Sequence, residues 1–182
     1  MGLDMYMFRV KKGAEKYLKD NKMGKLFISF FTPFNIRPYK FDMPHCKNVD
    51  KYFKELAYWR KANAIHNWFV KNVQAGVDDS EPYPVLREQL TDLLNTCKTV
   101  LDCSELLPPC MLFVDPNKAY NQLIKDPTVA RELLPTLDGY FFGSTEYDSN
   151  YVYDIEKTIK FVTEILDKVD FENNIVFYNS WS

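Results

Sequence analysis

The feature that most constrains the fold is the placement of the extended segments: one opens the chain, one closes it, and amphipathic helices fill the middle. Leu3–Val10 alternates, with Leu3, Met5 and Met7 on one side and Asp4, Tyr6 and Phe8 on the other. A period of two is that of a strand, here with one face wetter than the other. Asn174–Tyr178 (NIVFY) closes the chain as another strand. Between them, Val85–Leu101 carries Leu86, Leu90, Leu93, Leu94, Cys97, Val100 and Leu101, and Asp148–Val169 carries Val152, Ile155, Ile159, Val162, Ile165, Leu166 and Val169. Steps of three and four are helical. The pattern predicts an α+β fold: a small, mostly antiparallel sheet with helices packed mainly on one face, residues 1–182 forming a single domain.

The remaining segments fit that plan. Lys25–Phe31 (KLFISFF) reads as a buried strand, and Thr32–Pro44, with Pro33, Pro38 and Pro44, as a loop. Val49–Val73 reads as the strongest helix, with apolar residues at Tyr58, Ala62, Ile65, Phe69 and Val73, Asp50 as N-cap and Gly76 beyond its end. Ala75–Pro84 is an acidic loop. Pro116–Leu134 reads as helical in two pieces, divided at Pro127, and Leu137–Phe142 as a strand. Thr145-x-x-Asp148, or Ser149 itself, is expected to cap the last helix.

A formal net charge of −2 without a basic stripe argues against duplex nucleic acid as a partner. No run approaches the roughly 18 apolar residues of a membrane span, so no membrane partner is expected. The opening Met1-Gly2-Leu3-Asp4-Met5 lacks the basic-then-apolar pattern of a signal peptide, which points to the cytoplasm. Cys46, Cys97, Cys103 and Cys110 form no C-x-x-C, and with His45 and His66 the only histidines, neither a metal nor a cofactor is expected. Aromatic residues make up 16% of the chain, more than a core needs, so some rings are expected on a contact surface.

Two blocks carry the candidate chemistry. The first is Tyr58–Val70, read as helix. There Trp59, Asn63 and His66 lie four and three apart on one face, flanked by Arg60 and Asn67. Two amides, an imidazole, a guanidinium and an indole suit a ligand with several polar edges; they equally suit a buried hydrogen-bond network. The second is Gly143-Ser144-Thr145-Glu146-Tyr147-Asp148, a turn before a helix, where backbone N–H groups favour an anion. The same residues could simply cap that helix. The spacing is not that of a P-loop, and there is no G-x-S-x-G elbow. Asp78-Asp79-Ser80-Glu81 offers oxygen ligands, although such loops are usually only solvated.

The blocks Met1–Tyr6, Ala57–Val70, Val77–Asp79, Leu134–Asp148 and Ser180-Trp181 resemble a family of small uncharacterised proteins of bacteriophages and prophages. The resemblance implies a setting, a phage-encoded protein acting inside a bacterial cell, and brings no catalytic residue with it. The expected function is binding, possible ligands being small, polar and nucleotide-like, held so as to counter host defence. The alternatives are inhibition of a host protein through an aromatic surface, and a small hydrolase or phosphodiesterase using His66 with Glu146 or Asp148. A homo-oligomer is compatible with each.

Overall fold

A computed structural model describes residues 2–13, 53–107 and 123–181. The expected strand at Lys25–Phe31, the Pro-bounded loop, and the His45-Cys46 pair lie outside these residues. Four strands build the main sheet: β1 (Asp4–Lys11), β2 (Phe53–Arg60), β3 (Tyr83–Val85) and, at the chain end, β6 (Asn174–Trp181), in the order β2-β1-β6-β3 with every pairing antiparallel. The two chain ends are therefore neighbours at the centre of the sheet, paired from Asp4↔Trp181 to Lys11↔Asn174. A separate two-stranded ribbon joins β4 (Leu106–Leu107) to β5 (Leu123–Ile124).

Helices α1 (Asn63–Asn72), α2 (Arg87–Asp102), α3 (Thr128–Leu133) and α4 (Ser149–Lys168) complete the described elements. The apolar stripes of α2 and α4 are the ones the sequence marks, with Leu90, Leu93, Cys97, Val100, Val152, Ile155 and Val162 buried. They pack with Ile65 and Phe69 of α1 against Met5, Met7, Ala57, Trp59, Val176 and Tyr178 of the sheet. Tyr178 stacks on Phe69 with ring centroids 3.9 Å apart. The α+β class and the antiparallel sheet are thus as expected.

Four expectations are corrected. Val49–Val73 is not one helix: its residues 53–60 are β2, and the helix begins only at Asn63. A bulge between Met7 and Phe8 sets Ala57 and Glu55 opposite them and leaves Leu56 as the extra residue, which breaks the period of two that would have marked the strand. Leu137–Phe142 is a turn; Phe142 N–H donates to Gly139 O at 3.1 Å, and Phe141 sits at φ 67°. Within Pro116–Leu134 the described residues are β5 and the single short helix α3, which starts after Pro127. The second face of β1 is not wet, because Phe8 and Val10 form a second apolar cluster with Phe53 and Phe177.

Candidate functional site

The two blocks meet, and Asn63 joins them. At the end of β2 the chain turns through Lys61, held at φ 61°, and enters α1 two residues later. The buried Asn63 amide donates to Ser144 O at 2.8 Å and Phe142 O at 3.3 Å, while its oxygen accepts from Leu137 N–H at 3.3 Å. Gly143 packs on the same turn. Its φ of 100° suits glycine, and a Cβ there would lie 3.1 Å from Lys61 Cβ and 3.2 Å from Lys61 O. The end of β2, the start of α1, the loop before α4 and the first turns of α4 so enclose a cavity of about 420 Å³.

Of the residues singled out from sequence, Arg60, Asn63, Gly143, Ser144 and Asp148 line this cavity. Arg60 is mostly exposed and lies 4.0 Å from Asp4. Asp148 is the N-cap of α4: its carboxylate accepts from Asn150 N–H and Tyr151 N–H. The cap is therefore Asp148 itself, rather than Thr145 or Ser149. Ser144 Oγ accepts from Glu146 N–H at 3.1 Å.

The other six do not line it. Trp59 belongs to β2, not to a helix face shared with Asn63; it is fully buried and donates through Nε1 to Thr158 Oγ1 at 2.9 Å. Asn67 donates to Pro135 O at 2.9 Å. Thr145 O accepts from Thr136 Oγ1 at 3.0 Å, and the Tyr147 ring packs edge-on against Tyr151. Glu146 is exposed, and its backbone N–H donates to Ser144 Oγ.

His66 is fully buried, and both of its ring nitrogens are engaged, Nδ1 with Tyr178 Oη at 2.9 Å and Nε2 with Asp78 Oδ2 at 3.0 Å. An ionised carboxylate only accepts, so Nε2–H donates to Asp78 and, in the neutral ring, Nδ1 accepts from the Tyr178 hydroxyl. The bond from His66 holds the Asp78 carboxyl below its ordinary value, and burial pushes the Tyr178 phenol well up. The acidic partner of His66 is thus Asp78 of the acidic loop, not Glu146 or Asp148.

The cavity also takes residues that the sequence did not single out: Lys61, Thr136, Asn150, Tyr153, Asp154 and Lys157 among them. Lys157 Nζ lies 5.8, 5.9 and 5.4 Å from the ring centroids of Tyr58, Tyr153 and Phe161. Its amine is held below the ordinary lysine value, first by burial, against the opposing effect of Asp154. On sequence Lys157 is one lysine on a long amphipathic helix. The spacing Tyr153…Lys157…Phe161, four and four on one face, is the only local signal it leaves.

The fold and site define a class: an α+β protein with a half-enclosed cavity, lined by charged, polar and apolar side chains, at the starts of two helices. Beyond that class, no family model matches the chain, and neither a curated protein nor a solved structure is detectably similar to it. Among the described residues no helix is long and apolar enough to cross a membrane, and no group of three or more His, Cys, Asp or Glu is placed to hold a metal ion.

Proposed function

We propose that this protein binds a small, polar, nucleotide-like ligand in the cavity between the starts of α1 and α4, and holds it without turning it over. The observation that carries the reading is the convergence of both sequence blocks on one concavity through Asn63. Its volume falls in the lower part of the roughly 300–1,000 Å³ of small-molecule sites, a size suited to one nucleotide rather than two. Thr136, Ser144 and Asn150 line it with polar side chains, and Tyr151 and Tyr153 with aromatic ones. Binding rather than hydrolysis is favoured because His66, the base the sequence offers, does not line the cavity and has both nitrogens engaged. The setting that belongs to this reading is a phage-encoded protein in the bacterial cytoplasm, sequestering a nucleotide signal of host defence.

Thermal unfolding against a panel of linear and cyclic nucleotides tests it. A ligand at 100 times its dissociation constant adds about 2.7 kcal/mol to stability. The expected result is a rise in Tm with one chemical class, and recovery of the ligand unchanged after heat release. No shift at millimolar ligand removes the binding reading; recovery of a cleaved product replaces it with catalysis.

A second reading has its own observation. Tyr140 and Phe141 are 84% and 50% exposed, with ring centroids 4.2 Å apart, on the turn that leads into Gly143. Such a pair suits contact with a host protein. Tyr140→Ala is expected to leave ligand-induced stabilisation intact while weakening any such partner in a binding assay.

A further inference from the structure

We infer that the ligand of this cavity carries a phosphate-like anionic group and that Lys157 is the residue that selects for it. The inference rests on the binding reading above and names the chemistry of its ligand. The loop Gly143–Asp148, the anion site that the sequence suggests, is already filled from within. The Asp148 carboxylate takes the N–H groups of Asn150 and Tyr151, and Ser144 Oγ takes that of Glu146. An incoming anion would meet Asp148 there, charge against charge.

Lys157 presents the opposite situation. Its side chain lines the cavity, the amine is set among the rings of Tyr58, Tyr153 and Phe161, and it makes no hydrogen bond or ion pair among the described residues. The ring faces hold the ammonium in place, yet they carry no net negative charge to neutralise it. Asp154, one turn before it on α4, acts on this amine without forming an ion pair with it, and Asp4, which the Tyr58 hydroxyl bonds, faces Arg60. Arg60 and Lys61 add two further cations to the lining, against the two carboxylates Asp148 and Asp154. Three cations thus face two carboxylates, one of them, Asp148, engaged as the α4 cap, so the cavity favours a ligand that brings negative charge to Lys157. A phosphate or carboxylate supplies that charge, and a phosphate also has oxygens left for Arg60 or Lys61.

Titration calorimetry of the full chain with adenosine monophosphate and adenosine decides the point. Wild type is expected to bind the monophosphate at least tenfold more tightly. Lys157→Met, which keeps an apolar stem against the rings, is expected to bring the two affinities together, and Lys157→Arg to restore part of the gap. An unchanged gap in Lys157→Met overturns the assignment while leaving nucleotide binding in place.

If neither compound binds, adenosine monophosphate falls as the ligand, and trace acylation of amines read peptide by peptide decides Lys157 on its own. Selective protection of Lys157 by excess inorganic phosphate retains the anion site; labelling that phosphate leaves unchanged there, or lowers equally at every lysine, overturns it. The same labelling arm serves if Lys157→Met fails to fold.

Discussion

Asn63 ties three backbone groups of the 137–144 segment to the first turn of α1, with partners 74 to 81 residues away in sequence. Asn63→Ala leaves two carbonyls and one N–H without that partner in a largely buried place. It is expected to cost about 2–3 kcal/mol in denaturant unfolding. Asn63→Asp keeps the shape but cannot donate, so it should lose at least as much; a variant of wild-type stability would mean that water replaces these bonds. Backbone conformation yields a pair of predictions of opposite sign. Gly143→Ala forces a Cβ against Lys61 at φ 100° and is expected to cost about 1–2 kcal/mol. Ala75, exposed at φ 52° in the turn after α1, is the reverse case, and Ala75→Gly is expected to gain up to about 1 kcal/mol. The sequence singles out Asn63 correctly as a polar residue on a helix. His66 looks equivalent to it, three residues on, because polarity and spacing do not reveal that Tyr178 and Asp78 fill both of its nitrogens.

At the scale of elements, the start of α4 is decided by one carboxylate. Asp148→Ala is expected to cost about 1 kcal/mol, and Asp148→Asn much less, since either side-chain oxygen can accept from the first-turn N–H groups. Equal losses in the two variants, measured by chemical denaturation, would show that the charge beside the helix dipole matters more than the cap. The helices α2 and α4 are legible in sequence because each keeps an uninterrupted apolar stripe that the sheet and the neighbouring helix cover. β2 is not, for a physical reason: the bulge at Leu56 resets its alternation, and the aromatic residues of Ala57-Tyr58-Trp59 then fall into step with the helix that follows. The turn at 137–142 misleads in the other direction. Its apolar run imitates a strand, but Phe142 alone of Tyr140-Phe141-Phe142 is buried.

For the whole molecule, the bond between His66 and Asp78 fastens the acidic loop to α1, while Asn179 Nδ2 donates to Ser80 O at 2.6 Å and fastens it to β6. Asp78 has a depressed pKa in the fold. It therefore contributes stability above the ordinary carboxylate value of 3.8, and this is lost as pH falls through its lower folded value. Glu55 and Glu156, whose burial raises their pKa, act in the opposite sense and soften the acid limb. Wild type is expected to lose denaturant resistance below about pH 4, and Asp78→Asn to start lower at neutral pH and fall less on acidification. Parallel curves for the two proteins would remove Asp78 from that limb. Sequence alone determined the strands at both chain ends, the two long helices, the α+β class and the two blocks that deserve the name of candidate site. Tertiary structure alone decided that His66 and Trp59 are interior, and that Lys61, Tyr153 and Lys157 belong to the cavity. Periodicity encodes which face of an element is apolar, since that depends on neighbours three or four residues away. Whether a polar group on that element is paired, desolvated or open to a ligand depends on groups brought from distant parts of the chain.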